Sequence, residues 1–137
     1  MTSTASEIEQ VVYDLLSNSD HISISGKLYK EGTRPIKADS EDAVITFLSG
    51  IDDQIQTGVV VVNIYVKDID NGESEGVLVI DKERCSEIES QLRDFSESVK
   101  RSSEFVFKRD KTIQTFKADE VKQHFVSLRL KFKKSTL

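Results

Sequence analysis

Residues 58–66, with the sequence GVVVVNIYV, constrain the fold of this chain more than any other segment. Side chains alternate between the two faces of a strand, so one face carries every second residue. The first face carries Val60, Val62, Ile64 and Val66, and the second carries Val59, Val61 and Tyr65. A small domain usually covers one face of an antiparallel sheet and leaves the other in water. We therefore expect a second layer or another subunit to cover the second apolar face.

The length of 137 residues fits a single domain with its own core, which we place at 1–137. No apolar stretch approaches the roughly 20 residues that a membrane-spanning helix needs. The first residues lack the basic and apolar regions of a signal peptide. The single cysteine cannot form an internal disulfide, which fits a reducing cytosol. We expect no secretion by a signal peptide and no membrane partner.

The net charge of -5 conceals an uneven distribution. Residues 1–100 hold nine Lys and Arg against 20 Asp and Glu, a net -11, whereas residues 101–137 hold ten against four, a net +6. Opposite charges on different parts of a chain favour head-to-tail contact with a neighbouring copy. Lysines on a solvated strand face give the same pattern without any contact. The basic segment carries no recognisable nucleic-acid motif, so we expect no specific nucleic-acid partner.

Apolar residues at helical spacing predict two amphipathic helices. The first runs from about 6 to 17 and begins with a capping box formed by Thr4 and Glu7. The second starts at Asp81 and runs to about residue 100, with Cys85 in its apolar stripe. Both helices have one apolar face, which predicts that they pack on the same sheet.

Alternating apolar residues predict strands at 22–29, 43–49 and 58–66, and strand-like segments in the tail at 105–108, 113–117 and 122–133. Strands 43–49 and 58–66 are expected to form an antiparallel hairpin. We predict an α+β fold with an antiparallel or mixed sheet of about five strands and two helices on one face. The predicted order is helix, three strands, helix, two strands, with loops at 31–41 and 67–80.

The predicted loop at 67–80 concentrates acidic residues, as calcium-binding loops do. An EF-hand loop starting at Asp68 would need an oxygen ligand at position 72, glycine at 73 and glutamate at 79. The sequence has Gly72, Glu73 and Val79 at these positions. We therefore expect no metal here, and we note that long loops in compact domains often bind partners.

Catalytic patterns are missing from the sequence. It contains no nucleophile elbow, phosphate-binding glycine loop or His-Glu-x-x-His motif, and its two histidines, His21 and His124, are far apart. A catalytic thiol needs a histidine partner and an electropositive setting, so Cys85 is interpreted as a core residue. The sequence predicts neither an enzyme nor a cofactor.

The order of elements resembles the tail completion and tail terminator proteins of long-tailed bacteriophages and prophages. Segments 41–50, 58–66 and 82–100 carry the resemblance, which extends over nearly the whole chain. In that family a strand ending in a small residue and glycine leads through a short acidic turn to a long valine-rich strand. A variable loop and a helix across the sheet follow.

The resemblance implies an assembly role without a cofactor. Such subunits form a ring, often a hexamer, at the head-proximal end of a tail tube, where they stop tube growth or join the tube to the head. The implied partners are other copies of the chain and tail tube or head–tail connector proteins. The implied location is the host cytoplasm during assembly and then the virion tail.

A ring requires contact between two different patches of neighbouring subunits. We predict that the contact surface combines the second face of the valine strand, the acidic loop and the basic tail. Its residues are Val59, Val61, Tyr65, Asp68, Asp70, Glu73, Glu75, Arg129, Lys131 and Lys133. The alternative interpretation is a small non-catalytic protein-binding module from a mobile genetic element, which would use the same sheet face to hold a peptide or protein.

Overall fold

The computed structural model of the chain describes residues 1–73, 76–102, 104–119 and 121–136. Within these residues it has two helices, α1 (Ala5–Ser17) and α2 (Lys82–Ser98). The strands in the same residues are β1 (Leu28–Lys30), β2 (Ala43–Ile51), β3 (Ile55–Lys67), β4 (Ile69–Asp70), β5 (Leu78–Val79), β6 (Arg101–Ser102), β7 (Phe105–Arg109), β8 (Gln114–Lys117) and β9 (Gln123–Ser135). The α+β class predicted from the sequence is confirmed.

Seven of these strands form one mixed sheet, in the spatial order β1-β2-β3-β9-β7-β6, with β8 also paired to β9. Only the β1–β2 pair is parallel among the described strands. Strands β4 and β5 form a separate two-stranded hairpin. The prediction of about five strands, and of the order in which they follow the helices, is therefore wrong. Strands of two or three residues, such as β4, β5 and β6, are too short to show an alternating pattern.

The long strands β3 and β9 lie in the middle of the sheet and pair along their whole length, from Ile55 with Ser135 to Lys67 with Gln123. Since β3 occupies one edge of β9, strands β7 and β8 share the other edge. Strand β2 pairs with β3 in the predicted antiparallel hairpin, with a register shift between Phe47 and Ser49. This arrangement brings the basic tail directly beside the valine strand.

Both helices pack on one face of the sheet, as predicted, and the hydrophobic core lies between the helices and the sheet. Helix α1 buries Ile8, Val12 and Leu16, and α2 buries a stripe from Cys85 to Phe95. The sheet side of the core is the predicted first face of β3 together with alternate residues of β2 and β9. Its fully buried members are Ala43, Ile45, Val60, Val62, Ile64, Val126, Leu128 and Leu130.

Capping residues fix where each helix begins. In α1 the Thr4 side chain accepts a hydrogen bond from the Glu7 N–H (3.2 Å), and the Glu7 carboxylate accepts one from the Thr4 N–H (2.9 Å). This is the predicted capping box. In α2 the Asp81 carboxylate accepts from the Arg84 N–H at 3.1 Å. Each acceptor satisfies an N–H that has no partner inside the helix.

The predicted strand at 22–29 is only partly correct, since the strand covers Leu28–Lys30 alone. Ile22 and Ile24 pack against the core from irregular chain. Gly26 lies so close to the backbone of Glu41 and the side chain of Asp42 that a Cβ atom would overlap both. Backbone pairing begins at Gly26 and Lys27, which bond to Glu41 and Ala43, so the alternation at 22–24 reflects burial of irregular chain.

Candidate interaction surface

The second face of β3 lies on the side of the sheet opposite the two helices, and we call it the open face. From the pairing register, Val59, Val61, Asn63 and Tyr65 on β3 stand beside Lys131, Arg129, Ser127 and Phe125 on β9. Val59, Val61 and Tyr65 are each only half-buried. Six of the predicted contact residues, namely Val59, Val61, Tyr65, Arg129, Lys131 and Lys133, thus share the open face.

A groove of about 760 Å³ lies on the open face near the start of β3. We call it the lysine groove and define it by Ile51, Val59, Val106, Lys108, Lys131 and Lys133. Ile51 is 68% exposed and Val106 is 41% exposed, so large apolar side chains meet solvent beside three ammonium groups. Sequence reasoning missed Ile51, Val106 and Lys108 because their strands join the groove only through the pairing of β2 with β3 and of β7 with β9.

The middle of the open face carries one ionic cluster. Asp110 lies between Arg129 and Lys131, with Nε–Oδ2 and Nζ–Oδ1 distances of 3.4 and 3.5 Å. Arg129 Nε and the nearby Asn63 Oδ1 are buried, yet neither has a hydrogen-bond partner within the described residues. Buried polar atoms are normally paired. The chain itself covers both atoms, and the Arg129 Nε already lies against the Asp110 carboxylate, so neither atom is accessible to a molecule bound on this face.

The other end of the open face is aromatic, and the chain itself partly covers it at Tyr65. Phe125 lies 5.6 Å, between ring centroids, from both Tyr65 and Phe116. The guanidinium of Arg34 stacks 4.1 Å from the centre of the Tyr65 ring and also pairs with Asp42 at 2.9 Å. The connection at 31–41 therefore folds over Tyr65, which offers less free surface to a partner than the sequence predicted.

The predicted acidic loop is a short hairpin that is attached to the sheet at its base. Asp68 is buried, with its Oδ1 2.6 Å from His124 Nδ1 and its Oδ2 3.7 Å from Lys117 Nζ. The predicted surface role of Asp68 is therefore wrong, because its carboxylate is paired inside the chain. Asp70 and Glu73 are exposed, as predicted. Glu75 lies outside the described residues.

The opposite surface of the molecule is acidic on balance. Helices α1 and α2 together carry eight Asp and Glu against three Lys and Arg, although Glu87, Asp94 and Glu97 are paired with neighbouring basic side chains. Since the helices cover one face of the sheet and the lysines lie on the other, the two layers carry charges of opposite sign. The acidic helices belong to residues 1–100 and the lysines of the open face to residues 101–137, so the charge asymmetry along the sequence becomes a difference between the two layers.

The environment of Cys85 does not suit nucleophilic chemistry. Its side chain is completely buried, and burial, with smaller contributions from Asp81 and Glu89, raises the pKa of the thiol to about 11. A thiol with that pKa is protonated at neutral pH, whereas the nucleophile is the thiolate. Across the described ranges, no three His, Cys, Asp or Glu side chains are grouped so that they could hold one metal ion. In the same ranges no helix has the length and apolarity needed to cross a membrane.

Comparison with known proteins finds no family model that matches this chain and no curated protein with a significantly similar sequence.

Proposed function

We propose that the chain is a structural assembly protein of a phage or prophage tail, a ring-forming tail completion or terminator subunit or a head–tail joining subunit. It acts without a cofactor and without catalytic activity. Its partners are other copies of itself and tail tube or head–tail connector proteins. Its proposed location is the host cytoplasm during assembly and then the virion tail.

The open face supports this proposal more than any other observation. Val59 and Val61 occupy the central strand of the sheet, yet they are only half-buried. Covering such apolar surface on association stabilises a complex in proportion to the area removed from water.

The charge separation supports contact between unlike patches of neighbouring copies. A contact that joins two different patches is heterologous, and repetition of it by rotation closes a ring. Two basic faces repel each other, as do two acidic helix layers. The orientation that the charges favour is therefore head to tail.

Substitution of Val61 by Asp tests the proposal. The new carboxylate would stand in the middle of the contact, where removing a charge from water is costly and where it would neutralise part of the basic face. In the isolated chain it lies beside Arg129 on the neighbouring strand, so the monomer should stay folded. We expect annular particles of the unchanged protein in electron microscopy, and loss of the oligomer by light scattering over a concentration series for Val61→Asp.

Ser90→Asp is the matched control, because it adds the same charge to an exposed position of the acidic helix layer, where it keeps the attraction to a basic face. This variant should assemble like the unchanged protein. Circular dichroism and thermal unfolding would confirm that both variants are folded. An intact ring from Val61→Asp would refute the placement of the contact on the open face.

The lysine groove also favours the alternative function, a small non-catalytic protein-binding module from a mobile genetic element. A concave groove at a sheet surface can hold an extended peptide through pockets for alternate side chains. Light scattering separates the two functions, since a binding module stays a monomer or dimer until its partner is added. Neighbouring genes for a tail tube, capsid or portal protein would favour tail assembly.

A further inference from the structure

The β4–β5 hairpin combines exposed apolar and acidic side chains. We call it the acidic hairpin and define it by Ile69, Asp70, Glu73 and Val77. Ile69 and Val77 are 42% and 53% exposed, although both are aliphatic. Asp70 and Glu73 are also exposed. The hairpin forms its own two-stranded sheet and has no strand pairing with the main sheet.

The lysine groove has the complementary chemistry. Ile51 and Val106 provide exposed apolar surface, and Lys108, Lys131 and Lys133 provide positive charge. Lys131 is partly neutralised by Asp110 at 3.5 Å. Within the described part of the chain, neither Lys108 nor Lys133 has a carboxylate within ion-pair distance. An acidic and apolar occupant would therefore pair lysines that have no carboxylate partner among the described residues.

A molecule cannot fill its own groove with its own hairpin, because the two lie at opposite ends of β3. Val59 lines the groove, and the hairpin begins just after Lys67. Eight residues of strand separate these positions, a distance of about 26 Å at roughly 3.3 Å per residue. Groove and hairpin can meet only between two copies, and such a contact joins unlike patches.

From this geometry we propose that the acidic hairpin of one copy binds in the lysine groove of the next. The inference rests on the proposed function, since it names the two patches through which neighbouring copies associate. Ile69 and Val77 pack against Ile51 and Val106, while Asp70 and Glu73 pair with Lys108 and Lys133. Each copy donates one hairpin and accepts one, so the contact repeats around a closed assembly.

Charge exchange between the two patches tests the inference. The groove variant carries Lys108→Glu and Lys133→Glu, and the hairpin variant carries Asp70→Lys and Glu73→Lys. Each variant alone would bring like charges together at every contact, and we expect it to stay monomeric. A mixture of the two should assemble, because every contact then joins opposite charges. A chain with all four substitutions should assemble by itself for the same reason.

The control variant carries Asp20→Lys and Glu31→Lys, a charge change of the same size at exposed positions outside the groove, the hairpin and α2. It should assemble like the unchanged protein. The readouts are mass by light scattering, particle shape by electron microscopy, and circular dichroism to verify folding. All these substitutions are at exposed or groove-lining positions, so the variants are expected to fold.

The possible outcomes separate this inference from the proposed function. If the unchanged protein forms rings and both double variants form them equally well, the hairpin-in-groove contact is overturned and ring assembly stands. If the groove variant and the hairpin variant are each monomeric, but neither their mixture nor the fourfold variant assembles, the pairing of these two patches is likewise overturned. If the unchanged protein stays monomeric at every concentration and on isolated tails, the proposed assembly function fails together with the contact.

Discussion

The thiol of Cys85 makes the stability of this protein depend on pH in the alkaline range. Its ordinary pKa is 9.0, and burial raises the value in the folded chain to about 11. Below pH 9.0 both states keep the proton, so the full contribution to stability is present. Between these two values the unfolded chain releases the proton and the folded chain retains it. The free energy of unfolding should therefore fall by about 1.4 kcal/mol per pH unit in this window.

Urea unfolding of the unchanged protein and of Cys85→Ala at several pH values checks this expectation. The alanine variant has no thiol, so the difference in unfolding free energy between the two proteins should shrink as pH rises above 9.0. All other side chains are the same in both proteins, so their contributions cancel in the difference. A difference that stays constant across the window would show that the thiol does not carry this pH dependence.

A buried carboxylate at the base of the acidic hairpin links the hairpin to the sheet. Asp68 contacts His124 on β9 and Lys117 on β8, and its N–H donates to the Lys122 carbonyl at 3.0 Å. Asp68→Ala would leave His124 without this partner in a partly buried position. We expect a loss of about 1–3 kcal/mol in unfolding free energy, the usual cost of an unpaired buried polar group.

Glu73→Ala is the contrasting variant, because Glu73 is exposed in the same hairpin. Exposed substitutions usually change stability by less than about 0.5 kcal/mol. This variant should weaken assembly while the unfolding free energy of the monomer stays the same. Light scattering measures the change in assembly, and denaturant unfolding at a concentration where the chain is monomeric measures the unfolding free energy. The reverse pattern, a stable Asp68→Ala that fails to assemble, would return Asp68 to the contact surface.

Long helices and strands, in which apolar residues recur several times at one spacing, were predictable from the sequence. Elements of two or three residues were not. Helix α1, with its capping box, and the faces of β3 and β9 follow from spacing alone, because each contains several residues on one buried side. Strand β1 pairs in parallel with β2 through a long connection that leaves no local signal. The alternation at 22–24 misled the prediction, since irregular chain packed on a core shows the same pattern as a paired strand.

The open face was predictable in part for the same reason. The alternation in 58–66 identifies Val59 and Val61, and the alternation in the tail identifies Arg129, Lys131 and Lys133. No local pattern joins Arg34 to Tyr65, or Asp68 to His124, which is 56 residues away. Such partners depend on how strands are ordered in space. The lysine groove likewise exists only because β9 lies between β3 and β7.

The whole molecule consists of an acidic helix layer and a sheet whose open face is basic, so its association should respond strongly to salt. Attraction between exposed charges is screened over a Debye length of about 10 Å at 0.1 M salt and about 3 Å at 1 M. We expect sodium chloride, raised from about 0.05 to about 0.5 M, to weaken assembly by on the order of tenfold in dissociation constant. Sedimentation or light scattering over a dilution series at each salt concentration measures this change.

The direction of the salt effect separates charge pairing from apolar burial. Contacts between valine and isoleucine side chains do not lose strength in salt, and sulfate strengthens them because it is excluded from the protein surface. The fourfold charge-exchange variant provides the control, since it keeps the same number of ion pairs and should show the same salt slope as the unchanged protein. If assembly is insensitive to sodium chloride and improves in sulfate, the contact is apolar alone. The lysines of the groove would then serve only to keep the open face hydrated in the monomer.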